Sequence, residues 1–80
     1  MDSTKNITIY TASWCAFCHL AKEYLDKKGI KYTEKDVEKD IKFAEEAVDK
    51  SGQTGIPVLE IGDKIIVGFN RPEIDAAIAA

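Results

Sequence analysis

Both cysteines of the chain lie in one short stretch, Ser13-Trp14-Cys15-Ala16-Phe17-Cys18-His19. This stretch follows an apolar run and precedes a helical pattern, so the two thiols fall on the first turn of a helix. A disulfide between them would close a very small loop and remove little entropy from the unfolded chain, which makes it a poor structural staple. The spacing therefore predicts a strand–helix junction whose disulfide forms and breaks as part of redox chemistry.

The period of the apolar residues predicts four strands. They are Ile7–Tyr10, Ile30–Val37, Val58–Ile61 and Lys64–Val67. A helix joins the first two strands, which predicts a right-handed crossover and a parallel pair. Gly62-Asp63 predicts a tight turn, so the last two strands form an antiparallel hairpin.

Helical spacing predicts three helices, which give the order β-α-β-α-β-β-α and an α/β fold. The first begins at Ala16 and stops at Gly29, and the second runs from Ile41 to about Lys50 with Asp40 as its cap. Asn70 caps the last helix, with Glu73 placed as in a capping box. The apolar faces are Phe17, Leu20, Ala21, Tyr24 and Leu25 in the first helix, Ile41, Ala44, Ala47 and Val48 in the second, and Ile74, Ala77 and Ile78 in the third.

Length and charge exclude several classes of protein. Eighty residues suffice for one core, so we expect a single domain over 1–80. The net charge of -3 and the scattered basic residues imply no nucleic-acid or membrane partner. Met1–Asn6 lacks the pattern of a signal peptide, and no apolar run approaches the roughly 20 residues of a membrane helix. We expect a cytoplasmic monomer.

The two cysteines are predicted to have different roles. At the helix start, unpaired backbone N–H groups and the helix dipole favour a thiolate on Cys15, which makes this residue the attacking nucleophile. Cys18 lies one turn inside the helix, nearer the core, where we expect a higher pKa. It is the predicted resolving thiol, which displaces the product from a mixed disulfide. This exchange needs no metal or organic cofactor.

Three motifs in order give the chain a resemblance to the glutaredoxin family and, within it, to the NrdH-redoxin group. They are Ile7–Thr11 with Cys15-Ala16-Phe17-Cys18, then Thr54-Gly55-Ile56-Pro57-Val58, then Gly68-Phe69. The resemblance implies a minimal thioredoxin fold, whose four-stranded mixed sheet has the order 2-1-3-4, and a cis Ile56–Pro57 bond. It also implies that the proline loop stands beside the cysteines and pairs its backbone with a bound peptide or glutathione. The substrate-binding residues that follow are Trp14, Phe17, Thr54, Gly55, Ile56, Pro57, Gly68, Phe69 and Asn70.

Several positions depart from the family pattern. Ala16-Phe17 replaces the usual Pro-Tyr, and Thr11 and Ala12 stand where many members carry a lysine that meets a glutathione carboxylate. Gly68-Phe69 replaces Gly-Gly, and Asn70-Arg71 replaces the acidic residues that often follow. These changes favour disulfide-containing protein substrates and a thioredoxin-reductase-like reductant, with glutathione kept open as a co-substrate. Trp14 before Cys15 also resembles the Trp-Cys pair of thioredoxins.

Other functions fit parts of the same pattern. A single-chain zinc site needs four ligands, and beyond the cysteines the stretch offers only His19. The second hypothesis, by family analogy, is a glutathione-dependent iron–sulfur cluster or metal carrier with little turnover, in which Cys15 holds a cluster between two subunits. A third is a purely structural domain. Trp14, Phe17 and Phe69 fit either packing or docking, and His19 fits a surface position better than a catalytic base.

Overall fold

The computed structural model describes residues 6–79. The chain forms β1 (Ile7–Thr11), α1 (Ala16–Lys27), β2 (Thr33–Asp36), α2 (Ile41–Ser51), β3 (Val58–Ile61), β4 (Lys64–Val67) and α3 (Arg71–Ala79). Met1–Lys5 and Ala80 lie outside the described residues. The two ends of the predicted 1–80 domain therefore lie outside them as well, and so does most of Met1–Asn6, the stretch that lacks a signal-peptide pattern.

The four strands form one mixed sheet in the order β2-β1-β3-β4. β1 runs parallel to β2, while β3 is antiparallel to both β1 and β4. The predicted α/β class, element order and 2-1-3-4 sheet are therefore confirmed. Because β1 is central and ends at Thr11, the cysteine stretch leaves the middle of the sheet at the carboxyl ends of the parallel pair.

Helices cover both faces of the sheet. On one face, α1 and α3 bury the main core, which comprises Ile7, Ile9, Ala21, Leu25, Leu59, Ile61, Ile66, Ile74 and Ala77. On the other face, α2 packs Ala47 against Tyr10 and Val58. Of the described helices, none is long and apolar enough to span a membrane.

The second strand is shorter than the alternation predicts. It begins at Thr33 rather than Ile30, because the Ile30 N–H donates to the carbonyl of Leu25 at 3.0 Å and completes the end of α1. Gly29 makes this possible by adopting a φ of 71°, a left-handed conformation that glycine reaches without steric cost. The side chain of Ile30 packs against the core instead of entering the ladder with β1.

The predicted inward face of α2 is partly wrong. Ile41 is 72% exposed and Val48 is 40% exposed, whereas Ala47 is buried. The side of the helix that faces the sheet carries Glu46, whose Oε1 accepts hydrogen bonds from the Tyr10 hydroxyl at 3.0 Å and from Lys35 Nζ at 2.9 Å. Because Glu46 makes these bonds, the side of α2 that faces the sheet is partly polar, and the helix does not turn its whole apolar stripe inward.

The predicted cap and inward face of α3 are confirmed. The Glu73 N–H donates to Asn70 Oδ1 at 3.3 Å, and Asn70 Nδ2 donates to Glu73 Oε2 at 2.6 Å. Ile74 and Ala77 are buried, and Ile78 is half-buried against the same core.

Candidate active site

Cys15 is the N-cap of α1. Its backbone is extended, with φ −92° and ψ 109°, and its Sγ accepts a hydrogen bond from the Cys18 N–H at 3.2 Å. The Cys15 N–H in turn donates to the Ala12 carbonyl at 3.1 Å, which closes the turn between β1 and the helix. A sulfur that accepts a backbone N–H at the positive end of a helix is placed where negative charge is stabilised.

Cys18 lies in a different environment. It is fully buried, and Cys15 is 6% exposed; together with Ala12 they form a small cluster against Val37 and Ile56. Burial, followed by a hydrogen bond to Cys15, raises the pKa of Cys18 to about 12, although a backbone hydrogen bond from Ala12 acts in the opposite direction. At neutral pH Cys18 is therefore a protonated thiol, as the sequence predicts for the resolving residue. Both cysteines are in the reduced form.

The proline loop lies against the cysteines. The Ile56–Pro57 peptide bond is cis, as the resemblance implies, and Pro57 is buried. Cys15 Sγ lies 4.0 Å from the Ile56 carbonyl oxygen. Within residues 6–79 the Ile56 N–H has no hydrogen-bond partner. An unpaired N–H beside the reactive sulfur is a backbone donor that an extended peptide is able to use.

Gly68 joins the site from the third segment. Its N–H donates to the Pro57 carbonyl at 2.8 Å, and its φ of 82° is one that a residue with a Cβ adopts only with strain. The structure thus brings the cysteines, Ile56-Pro57 and Gly68 together, although they lie about forty and fifty positions apart along the chain. This juxtaposition is the one that the family resemblance implies.

Other predicted site residues have contacts of their own. Phe69 is half-buried and meets the ring of Tyr24 edge-on at 5.8 Å, while Asn70 is engaged in the cap of α3. Thr54 and Gly55 are exposed beside the proline loop. Trp14 and Phe17 are 69% and 62% exposed, so neither serves as core packing.

Sequence reasoning did not identify the residues whose hydrogen bonds stabilise the turn before Cys15 and the loop before Pro57. Ser13, which precedes Trp14, has all of its polar groups engaged: its N–H and Oγ donate to Glu38 Oε1 at 3.2 and 2.9 Å, and its carbonyl meets His19 Nε2 at 3.0 Å. A carbonyl only accepts, so Nε2 carries the ring proton in this arrangement. Gln53 similarly bonds both the N–H and the carbonyl of Gly55. A serine, a glutamate and a glutamine at unrelated spacings carry no signal that predicts these bonds.

Glu38→Ala is expected to lower the free energy of unfolding by about 1 kcal/mol, because two hydrogen bonds from Ser13 lose their acceptor. Glu38→Gln keeps an acceptor oxygen at the same position and is expected to lower the free energy of unfolding clearly less. Urea unfolding of both variants and the wild type measures the difference. Equal losses for alanine and glutamine would show that the charge of Glu38, rather than its bonds to Ser13, is what stabilises the turn.

Comparison with known proteins gives a consistent picture. The sequence model of the glutaredoxin family matches residues 7–66. A glutaredoxin-like 8.6 kDa protein of the rubredoxin operon of Clostridium pasteurianum is 44% identical over 72 residues, which are 90% of this chain and 96% of that protein. Glutaredoxin 3 of Escherichia coli K12 is 35% identical over 63 residues, 79% of this chain and 76% of that protein.

A solved structure agrees with these relatives. It is the glutaredoxin-like protein NrdH-redoxin from Escherichia coli, which is described as having a thioredoxin-like activity profile. It superposes with a TM-score of 0.79 at 31% identity, over 89% of this chain and 92% of that one. The match to the family model, over residues 7–66, includes the segments that carry Cys15, Cys18 and Pro57.

Proposed function

We propose, since this chain belongs to the glutaredoxin family and is a thiol–disulfide oxidoreductase, that it reduces disulfides of protein substrates by dithiol exchange through Cys15 and Cys18. The observation that carries the proposal is the unequal setting of the two sulfurs. One caps a helix and accepts a backbone N–H, while the other is buried with a pKa raised to about 12.

The exchange proceeds in two steps. The Cys15 thiolate attacks one sulfur of the substrate disulfide, which forms a mixed disulfide and releases the other substrate sulfur as a thiolate. Cys18 then loses its proton, attacks Cys15 Sγ and releases the second substrate thiol. The substrate gains two electrons, and the protein is left with a Cys15–Cys18 disulfide. The sulfurs alone carry this chemistry, so the proposal includes no metal or organic cofactor.

The surroundings of the cysteines support an extended protein segment as substrate. The Ile56 carbonyl oxygen lies 4.0 Å from Cys15 Sγ, and the Ile56 N–H has no partner among residues 6–79, so Ile56 offers one acceptor and one donor to a peptide backbone. Trp14 and Phe17, which lie on either side of Cys15 in the sequence, add exposed aromatic surface. We place this reaction in the cytoplasm, where thiols are kept reduced.

A reduction assay tests the proposal. The wild-type protein, supplied with dithiothreitol, is expected to accelerate the reduction of insulin and of hydroxyethyl disulfide well above the rate with dithiothreitol alone. Protein whose thiols have been alkylated beforehand is the control for effects that do not involve sulfur. If the native protein reduces neither disulfide faster than the alkylated protein does, dithiol exchange is not its function.

The reductant is expected to be a thioredoxin-reductase-like enzyme rather than glutathione. Thr11 and Ala12 are 1% and 0% exposed, and the Thr11 hydroxyl donates to Glu34 at 2.9 Å. The positions at which many family members carry a lysine therefore present no cation to a glutathione carboxylate. Comparing NADPH consumption with thioredoxin reductase against glutathione plus glutathione reductase measures the preference, which we expect to be roughly tenfold, the effect of one lost charge-assisted bond. Faster turnover with glutathione would contradict this.

A further inference from the structure

The side-chain amide of Gln53 links the loop before Pro57 to the end of α2. Its Oε1 accepts the N–H of Gly55, and its Nε2 donates to the carbonyl of Gly55 at 2.8 Å. The other Nε2 hydrogen goes to Ser51 Oγ at 3.1 Å, and this hydroxyl donates to the Ala47 carbonyl at 2.6 Å. Because a backbone N–H only donates and a carbonyl only accepts, the two bonds to Gly55 fix the orientation of the amide.

The bonds to Gly55 determine which way the next peptide group faces. The Gly55–Ile56 bond is trans, since Ile56–Pro57 is the one cis bond in the described part of the chain. In a trans peptide the C=O and the N–H point in opposite directions. The Gly55 carbonyl is directed at Gln53, so the N–H of Ile56 points away from Gln53. This is the N–H that has no partner within the described residues, and the carbonyl of the same residue lies 4.0 Å from Cys15 Sγ.

Gly55 leaves the space that the Gln53 amide occupies. A Cβ on Gly55 would lie 2.7 Å from Gln53 Oε1, which is closer than a real Cβ comes to a neighbouring atom. Gly55 does not have a positive φ, so its backbone conformation is one that other residues adopt without strain. The missing side chain at position 55 is therefore explained by Gln53 rather than by the turn.

We propose that Gln53 is a positioning residue that turns the Ile56 N–H toward the backbone of a bound protein segment. It thereby favours protein disulfides over small disulfides, which have no peptide backbone to bond. This inference rests on the proposed function, which assigns an extended protein segment to the proline loop. Glycine rotates more freely than any other residue, so without the two bonds from Gln53 the Gly55–Ile56 peptide takes several orientations. The N–H is then presented to the substrate for only part of the time.

The test compares a protein disulfide with a small one. Pre-reduced protein is mixed in stopped flow with insulin or with hydroxyethyl disulfide, and the fluorescence of Trp14, the only tryptophan, follows the oxidation. For Gln53→Ala we expect the ratio of the insulin rate constant to the hydroxyethyl disulfide rate constant to fall roughly fivefold, the effect of one backbone hydrogen bond. The rate constant with hydroxyethyl disulfide should not change, because this substrate has no peptide carbonyl.

Two further substitutions separate positioning from a general loosening of the loop. Gly55→Ala places a Cβ where the Gln53 amide lies, so it should lower the ratio by the same factor, and Gln53→Ala/Gly55→Ala should lower it no further. Ser51→Ala is the matched control. It removes hydrogen bonds from the same loop but leaves both bonds between Gln53 and Gly55, and it is expected to keep the wild-type ratio.

Four results would overturn the positioning role. They are a wild-type ratio in Gln53→Ala, a parallel fall of its two rate constants, full additivity of the Gln53 and Gly55 substitutions, and an equal fall of the ratio in Ser51→Ala. Failure of the wild type to reduce either disulfide would instead contradict the proposed function, on which this role depends.

Discussion

Cys15→Ser is expected to lower the rate of disulfide reduction by about a thousandfold or more, the scale seen when a catalytic nucleophile is removed. The hydroxyl of serine does not ionise near neutral pH, so no attack on the substrate sulfur takes place. The fold should survive, because serine is a favoured N-cap and its oxygen is able to accept the Cys18 N–H that the sulfur accepts now. The loss can therefore be assigned to chemistry.

Cys18→Ser separates the two steps. This variant keeps the attacking sulfur, so it should react once with a protein disulfide and then remain bound to it. Intact-mass spectrometry of the non-reduced mixture is expected to show a covalent adduct for Cys18→Ser and none for Cys15→Ser. The opposite pattern, with an adduct only when Cys15 is replaced, would reverse the assigned roles. Full turnover by Cys15→Ser would contradict the dithiol mechanism altogether.

The positions of the cysteines could be predicted because they depend on local rules. A strand pattern that ends at Thr11 and a helical pattern that begins at Ala16 place Cys15 at the cap and Cys18 one turn inside. The parallel and antiparallel pairings follow from the lengths of the connections, a crossover helix in one case and the Gly62-Asp63 turn in the other. The prediction that the cysteines lie beside Pro57 and Gly68 depended on the family resemblance, because periodicity does not indicate which loops come together.

The rotation of the helices could not be predicted in this way. Apolar residues cover a wider arc of α1 and α2 than the sheet is able to bury, and the pattern does not say which part of the arc remains outside. In α2 the choice is made by Glu46, which bonds Tyr10 and Lys35 from other elements. In α1 the buried side is the one that carries Cys18, which leaves Phe17 and Leu20 in solvent. Such choices depend on partners far away in the sequence. The bond between Ser13 and Glu38 could not be predicted for the same reason, since the two residues are 25 positions apart.

The free energy of unfolding of the reduced protein is expected to fall steeply between about pH 8.5 and 12, and Cys18 is the cause. An unfolded cysteine has a pKa near 8.5, whereas burial raises the pKa of Cys18 to about 12. Within this range the unfolded chain has released a proton that the folded chain still holds, so raising the pH favours unfolding. The contribution of the protonated thiol is complete below about pH 8.5. By pH 10.5 the loss should reach roughly 2 to 3 kcal/mol.

Cys18→Ala isolates this contribution, because other groups also titrate in the same range. Tyr10, Tyr32 and Lys35 have raised pKa values of their own, but they are present in both proteins, and their effects cancel when the two are compared. Urea unfolding at pH 7 and 10.5, with a phosphine reductant throughout, gives the loss for each protein. The wild type should lose roughly 2 to 3 kcal/mol more than Cys18→Ala. Equal losses would mean that Cys18 titrates alike in the folded and unfolded chains. The conclusion that burial raises the pKa of Cys18 would then be wrong, and with it one reason for assigning Cys18 the resolving role.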